Sequence, residues 1–381
     1  MSAVIETVIC ERLDEVDPGE WDALVRDNNP FLSHAFLVAL ERHQCASPLY
    51  GWQPRHLLLR AEGRLVGGVP LYLKENSYGE FVFDHAWADA YQRNGLAYYP
   101  KLVSSIPYTP ATGRRLLLAD GWDNPETWSK VSTAVKTLAM EEGCSSMHWL
   151  FVEEREERAL HEQGWMTRKA VQFHWSNRDY PDFESFLGQL NSKRRKNIRR
   201  ERRLAAGHGF ETRLLHGGEV TEEQWRIFSR FYAKTFEERY SMPTLNFGFF
   251  SEIGRTLGDR VILVLAYEDE VCVAGALMFR SDHTLYGRHW GCEQDHDNLH
   301  FELCYYQGIE YCIEHRLQRF EPGAQGEHKI WRGFLPTTTY SSHWIADRSF
   351  SAAVEEFLQR EERMIADYKS SMQQSSPYRQ A

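Results

Sequence analysis

The sequence predicts an α/β chain assembled from two copies of one unit. Three observations carry this. The chain has 381 residues, more than one hydrophobic core usually holds, so two domains are expected. Two hairpin patterns recur far apart, at residues 57–72 and 262–277. Each is an apolar run, a short acidic turn and a second run containing small residues. After each hairpin a helix leads into a strand: 125–142 then 146–152 in the first half, 299–315 then 319–321 in the second.

The first half also carries Asp84 to Tyr91, where a helix beginning near Ala86 places Trp87 and Tyr91 on one side, in the core or lining a cleft. Its last strand, 170–175, runs into the turn-rich stretch 177–182, which reads as a linker. Domains are therefore expected at 1–178 and 179–370, with a Ser- and Gln-rich flexible tail at 371–381. Residues 183–190 and 192–206 read as helices, the second stopped by Gly207 and Gly209. Helices follow at 222–238 and 247–257, then strands at 261–267, 271–280 and 284–291, and a last long helix at 351–368.

Composition narrows the function. The chain is 42% hydrophobic and 26% charged, with a formal charge of −10. This disfavours a dedicated nucleic-acid coat protein. Seven cysteines without a Cys-x-x-Cys pair fit reduced thiols in a cytoplasmic protein. The N-terminus has Glu6 and Glu11 where a signal peptide would be basic and then apolar, and no run is long enough to span a bilayer. Neither His-x-x-x-His nor His-Glu-x-x-His occurs, so no metal site is expected.

Chemistry-bearing residues concentrate between Leu285 and Trp344. Arg288-His289-Trp290 lies between glycines, and Glu321, Glu327, His328, Lys329 and Arg332 follow within twelve positions among Gly323, Gly326 and Gly333. Titratable groups at tight turns are how soluble enzymes build sites; the alternative is a structural turn whose charges pair with one another. Eight of the eleven residues from Lys193 to Arg203 are Lys or Arg, against one acid, Glu201. Lys193, Arg195 and Arg199 would form an anion-binding surface, or else a solvated helix face. The stretch from Pro107 to Arg115 offers Tyr108, Thr109, Arg114 and Arg115 around a Gly turn, either as a phosphate nest or as an ordinary Pro-rich loop.

The order of hairpin, strand, loop and helix resembles the GNAT acyltransferase fold, and two such units in tandem look like the Fem-type peptidoglycan aminoacyltransferases. Ser192 to Arg200 (SKRRKNIRR) is similar to the basic helix that opens the second Fem unit. More closely, the chain resembles a Fem-like family of bacterial N-acyltransferases. The motifs are YGEFVFD at 78–84, YYPKL at 98–102, PYTP at 107–110, LYGRHWG at 285–291 and GAQGEHK at 323–329.

The resemblance implies two tandem GNAT-like domains, each a mixed, mostly antiparallel sheet flanked by helices. It implies transfer of an acyl or aminoacyl group from an activated donor to a small-molecule or peptide amine by direct attack. Glu321 and His328 would move the proton, while Lys329 and Arg332 would stabilise developing charge; Lys329 matches the Lys that follows the Gly-rich stretch in Fem enzymes. Arg288, His289, Trp290, Arg114 and Arg115 would grip substrate. Acyl-CoA is the favoured donor, although Glu293, Asp295 and Asp297 in the turn before the second-half helix would repel its pyrophosphate. A charged tRNA is the second donor to consider, and a non-catalytic cell-wall or peptide recognition module is the alternative class.

Overall fold

The computed structural model describes residues 4–207, 209–324 and 326–379. They form two compact units, residues 4–171 with 338–368 and residues 172–337 with 369–379.

The chain begins with β1 (Ile5–Cys10), α1 (Pro18–Asp22), α2 (His34–Arg42), β2 (Trp52–Pro54), β3 (His56–Ala61), β4 (Arg64–Val69) and β5 (Tyr72–Lys74). Next come α3 (His85–Arg93), β6 (Lys101–Ser104), β7 (Leu117–Leu118), α4 (Pro125–Glu141), β8 (Ser146–Val152) and α5 (Glu154–Glu162). The long strand β9 (Met166–Ser176) carries the chain into the second unit. That unit holds α6 (Phe183–Gln189), α7 (Ser192–Gly207), β10 (Glu211–His216), α8 (Glu222–Glu237), α9 (Phe247–Leu257), β11 (Val261–Glu268), β12 (Val271–Arg280) and β13 (Thr284–Cys292). A continuous helical stretch follows: α10 (Leu299–Phe301), a π-helical turn (Glu302–Tyr306) and α11 (Gln307–Glu314). After β14 (Arg319–Glu321), the strand β15 (Leu335–Ile345) returns the chain to the first unit, where α12 (Arg348–Gln374) begins.

In the first unit β1-β3-β4-β7 form one sheet, and β15-β8-β6-β5-β2 lie side by side in another. In the second unit the order is β10-β11-β12-β13-β14, followed by the end of β9. Each unit has a parallel pair, β6 with β8 and β13 with β14, while the hairpin strands pair antiparallel. Both hairpins form. Their turns use Glu62 and Gly63 in one case and Asp269 and Glu270 in the other, all at positive φ. Positive φ at both central positions is the hand that matches strand twist. The hairpins differ afterwards: β12 runs unbroken, whereas Pro70, which cannot donate to a ladder, ends β4 and shifts the chain to the other sheet.

Helix ends follow local chemistry. Asn124 caps α4, accepting from Thr127 N at 3.0 Å with Pro125 in the first turn. Thr221 and Gln224 close a capping box on α8. Trp87 and Tyr91 on α3 are core residues, packed with Ile345, Val354 and Leu358 of the same unit.

The chain is not divided as the sequence suggests. The stretch 177–182 is no linker but a turn within the second unit, held by Asn177 N on Gln318 O at 2.9 Å and Tyr180 N on Asn177 Oδ1 at 3.2 Å. The crossings fall inside β9, β15 and α12, because each element is held by its own backbone hydrogen bonds and local composition does not mark where its packing partners change. Residues 371–379 of the expected tail are not free either. Helix α12 runs to Gln374, Tyr378 bridges to Leu190, and its hydroxyl donates to Gly333 O at 2.9 Å. Residues 1–3 of the first expected domain, residues 380–381 of the tail, and Gln325 lie outside the described residues.

Candidate active site

The second unit builds its site where β13 and β14 part. Their parallel register ends at Tyr286 opposite Glu321. On its other edge β13 carries a bulge: Leu277 faces His289 and Met278 faces Gly287, so Arg288 has no opposite number. A bulge redirects the extra residue's side chain, and Arg288 lines a cavity of about 90 Å³ here. His289 and Trp290 line it too, with His300, Cys304 and Tyr305 from the helical stretch and Pro322 from the following loop. The π-helical turn faces this cavity, as such turns often do at functional sites. Close helix packing depends on Gly308, where a Cβ would lie 2.5 Å from the Phe320 ring.

The loop from Pro322 leads into a 3₁₀ turn, Glu327–Arg332. Gly326 enters it at φ +116, which a side chain would not tolerate, and a Cβ there would also meet the His328 ring. The turn places three of the expected catalytic groups. Lys329 is buried, and its ammonium donates to Gly323 O at 2.9 Å and Pro322 O at 3.3 Å. Burial lowers its pKa to about 8. His328 Nε2 meets the Tyr305 hydroxyl at 3.1 Å; burial, then Arg332 and Lys329, hold its pKa below the usual value. Glu321 is buried on β14, 3.5 Å from Arg319 and 3.9 Å from the His174 ring, which burial lowers to about 3 and keeps neutral.

Arg332 is held rather than free. Its guanidinium forms a two-point pair with Glu201 at 3.1 and 3.0 Å, donates to Tyr306 Oη at 3.1 Å and to His328 O at 2.9 Å, and lies 3.5 Å from the Phe301 ring centre. Sequence reasoning missed Glu201 as the clamp, though it stood out as the one acid in the basic run. The next residue, Arg202, grips Glu302 at 2.9 and 3.1 Å and Glu310 at 2.7 and 2.8 Å. Helix α7 therefore acts partly as a brace, fixing the 3₁₀ turn and the helical stretch. Of its expected anion-binding residues, Lys193 is exposed, Arg195 is half-buried, and Arg199 is paired with Glu184. Arg194 stacks on the exposed ring of Trp331 at 4.6 Å.

His289 turns out to have a core environment as well as a place at the cavity. Its ring packs against Tyr232 at 5.1 Å, and burial keeps it neutral. The expected nest in the first unit is folded inward. Arg115 is buried and donates to the carbonyl oxygens of Leu150, Ala111, Gly113 and Arg114 at 2.8–3.1 Å. Its own backbone N–H and that of Leu116 bond Glu156. Tyr108 donates to Cys45 O at 2.9 Å and Thr109 to Pro107 O at 3.1 Å. Arg114 lies 3.7 Å from Glu153 and 3.9 Å from Asp123. Arg115, Tyr108 and Thr109 thus direct their donors to the protein's own carbonyls, while Arg114 stays partly exposed. Among the described residues no cluster of three or more His, Cys, Asp or Glu side chains suits a metal.

Two tandem units, each with a hairpin, a parallel strand pair joined by a helix, and in one of them a cavity at the strand ends, define the tandem GNAT architecture of Fem-like proteins. The sequence matches the FemAB-like family, described as peptidoglycan biosynthesis/recognition, over residues 12–380. The chain belongs to that family. Among solved structures, FemX aligns with 12% identity, covering 92% of this chain and 100% of its own, with a TM-score of 0.55. L-PGS from Bacillus licheniformis aligns with 9% identity over 85% of this chain and 95% of its own, with a TM-score of 0.51. A tandem GNAT protein from the clavulanic acid biosynthesis pathway aligns with 12% identity over 90% and 99%, with a TM-score of 0.48. No curated protein matches the sequence significantly. Among the described residues no helix is long and apolar enough to cross a membrane.

Proposed function

We propose that the second unit transfers an acyl or aminoacyl group from an activated donor to an amine, by direct attack on the carbonyl. The observation that carries this reading is Lys329: a buried ammonium where β13 and β14 part, bonded to the carbonyl of Pro322, which lines the cavity. Attack on a carbonyl puts negative charge on its oxygen, and a cation in a site of low polarity stabilises that charge strongly. The amine must also lose a proton. Glu321 at the end of β14 and the neutral His328 ring in the turn are the acceptors we assign, His328 oriented by the Tyr305 hydroxyl. Arg332 serves by holding the turn through Glu201, and Arg288 is the cation placed to meet an anionic part of the substrate. The cavity beside Arg288 has room for a small transferred group.

Acyl-CoA remains the donor we favour, with an aminoacyl-tRNA as the other chemical class. The turn before α10 bears Glu293, Asp295 and Asp297, which would repel the donor's phosphates there. Two measurements separate the donors: coenzyme A should raise the unfolding midpoint of the pure protein, whereas a tRNA donor should bind in a steeply salt-dependent way. Replacing Lys329 by Ala, with the fold intact, should lower kcat by about 10²–10³. Full activity of that variant would remove the assigned role, and ligand binding without turnover on any donor would favour a recognition module.

A further inference from the structure

A second charge cluster lies buried in the first unit, in the motifs at 78–84 and 98–102 that the proposed transfer does not use. Lys74 on β5 and Lys101 on β6 are direct partners across two antiparallel strands, so their side chains leave the same face. Both are fully buried. Like charges placed opposite one another destabilise a sheet, and two buried ammonium groups are costlier still. Packing alone gives no reason for the pair.

Their counter-charges differ in kind. Asp84, at the start of α3, bonds Lys101 Nζ and accepts the Tyr98 hydroxyl at 2.6 Å; it is built into the helix start. Glu80 sits instead in residues 75–84, a strap without regular secondary structure. Its Oε2 accepts from Lys101 at 2.8 Å, while its Oε1 is buried without a hydrogen-bond partner. Lys74 is in ion-pair contact with no carboxylate among the described residues. Its ammonium donates to Tyr78 O at 3.1 Å and lies 3.7 Å over the Trp52 ring. The strap's outward side shows Tyr78, Phe81 and Phe83, and Phe81 is held at φ +60, a strained value for an aromatic residue. Burial drives Lys74 down and Glu80 up, each to about 7. A well-matched ion pair would move them apart.

We propose that Lys74 and Lys101 form an oxyanion site whose internal occupant is the Glu80 carboxylate, displaced when the phosphate or carboxylate group of a ligand binds. Once Glu80 leaves, two ammonium groups face one fixed carboxylate, and the net positive charge selects an anion. Glu80 bonds Lys101 and makes no hydrogen bond to Lys74; a bound oxyanion would replace it on Lys101 and pair with Lys74 as well. The site is independent of the transfer reaction assigned to the second unit. A hydrogen-bond-donating ligand such as an amine would instead use the orphaned oxygens of Glu80 and Asp84, so the two ligand classes respond to Glu80 with opposite sign.

The test is calorimetric titration of the full-length protein with inorganic phosphate and, separately, acetate, supported by unfolding midpoints. Glu80→Gln, nearly isosteric, should bind phosphate at least about tenfold more tightly than the wild type, because it removes the competing charge. Adding Lys74→Met should abolish that gain. Tighter acetate binding without tighter phosphate binding would assign the site to carboxylates, within the same proposal. Unchanged or weaker binding of both anions by Glu80→Gln overturns it, as does a gain that survives Lys74→Met. Binding of n-butylamine that Glu80→Gln abolishes also overturns it. If Glu80→Gln does not fold, wild type and Lys74→Met are compared at millimolar phosphate. A midpoint rise in the wild type that Lys74→Met loses supports the site; no rise, or an equal one, sinks it.

Discussion

The two units share a plan and diverge at one place. In each, a parallel pair is registered over three residues, Leu102 to Ser104 against Met147 to Trp149, and Thr284 to Tyr286 against Arg319 to Glu321. Beyond that point the second unit opens into a cavity lined by Gly287, Arg288 and Pro322. In the first unit, the carbonyls of Leu150 and Phe151 are taken by Arg115 Nε and Gly113 N from its own loop. The first unit has filled with its own chain the place where the second keeps a site. A duplicated fold thus keeps its ladder, which the backbone sets, while the strand ends take on separate roles set by a few side chains.

The largest test of this comparison is Arg115→Met. It leaves four carbonyl oxygens without their guanidinium donor, and should cost about 3–5 kcal/mol in urea unfolding, with ligand binding by the second unit unchanged. A loss under about 1 kcal/mol would mean that the plug is not structural. Next is Glu201→Gln, which replaces the charged clamp on Arg332 by a neutral one; about 1–3 kcal/mol of stability should go, and kcat should fall more than KM rises if the turn's geometry matters to the reaction.

The pH profile sharpens the role of Lys329. Its folded pKa, about 8, lies below the usual Lys value because burial disfavours the cation. The cation is therefore present below pH 8 and lost above it, so the rate should fall about tenfold per unit on the alkaline side. Burial holds His328 low, so the acid limb should lie below pH 6.5, the ordinary His value. A rate flat from pH 7 to 10 would remove Lys329 from the chemistry. The smallest effect is expected at Arg199, an exposed partner of Glu184. Arg199→Ala should leave the unfolding midpoint unchanged, and only a tRNA-binding assay would register it.

Much of the fold was legible because it is local. The strand at 146–152 and the helix beginning at 125 appear where the sequence pattern places them. Both acidic turns were visible as turns. The sequence also marked the crowded segment 321–332, where Glu321, Lys329 and Arg332 are buried while Glu327 is exposed. What stayed hidden is pairing at a distance. Nothing near Glu201 announces that it faces Arg332, 131 positions away. Arg114 and Arg115 look alike in sequence, yet one is partly exposed beside carboxylates and the other is sunk among carbonyls.

The chain alone determined two α/β units, their hairpins and capped helices, and the loop that gathers the titratable groups, since periodicity, turn residues and caps act over a few positions. Only the tertiary structure decided where β9 and β15 pass between units, which basic residues are braces, and that the first unit buries paired lysines beneath Glu80. Those outcomes depend on which distant groups meet out of water, where a charge must find its partner or shift its protonation.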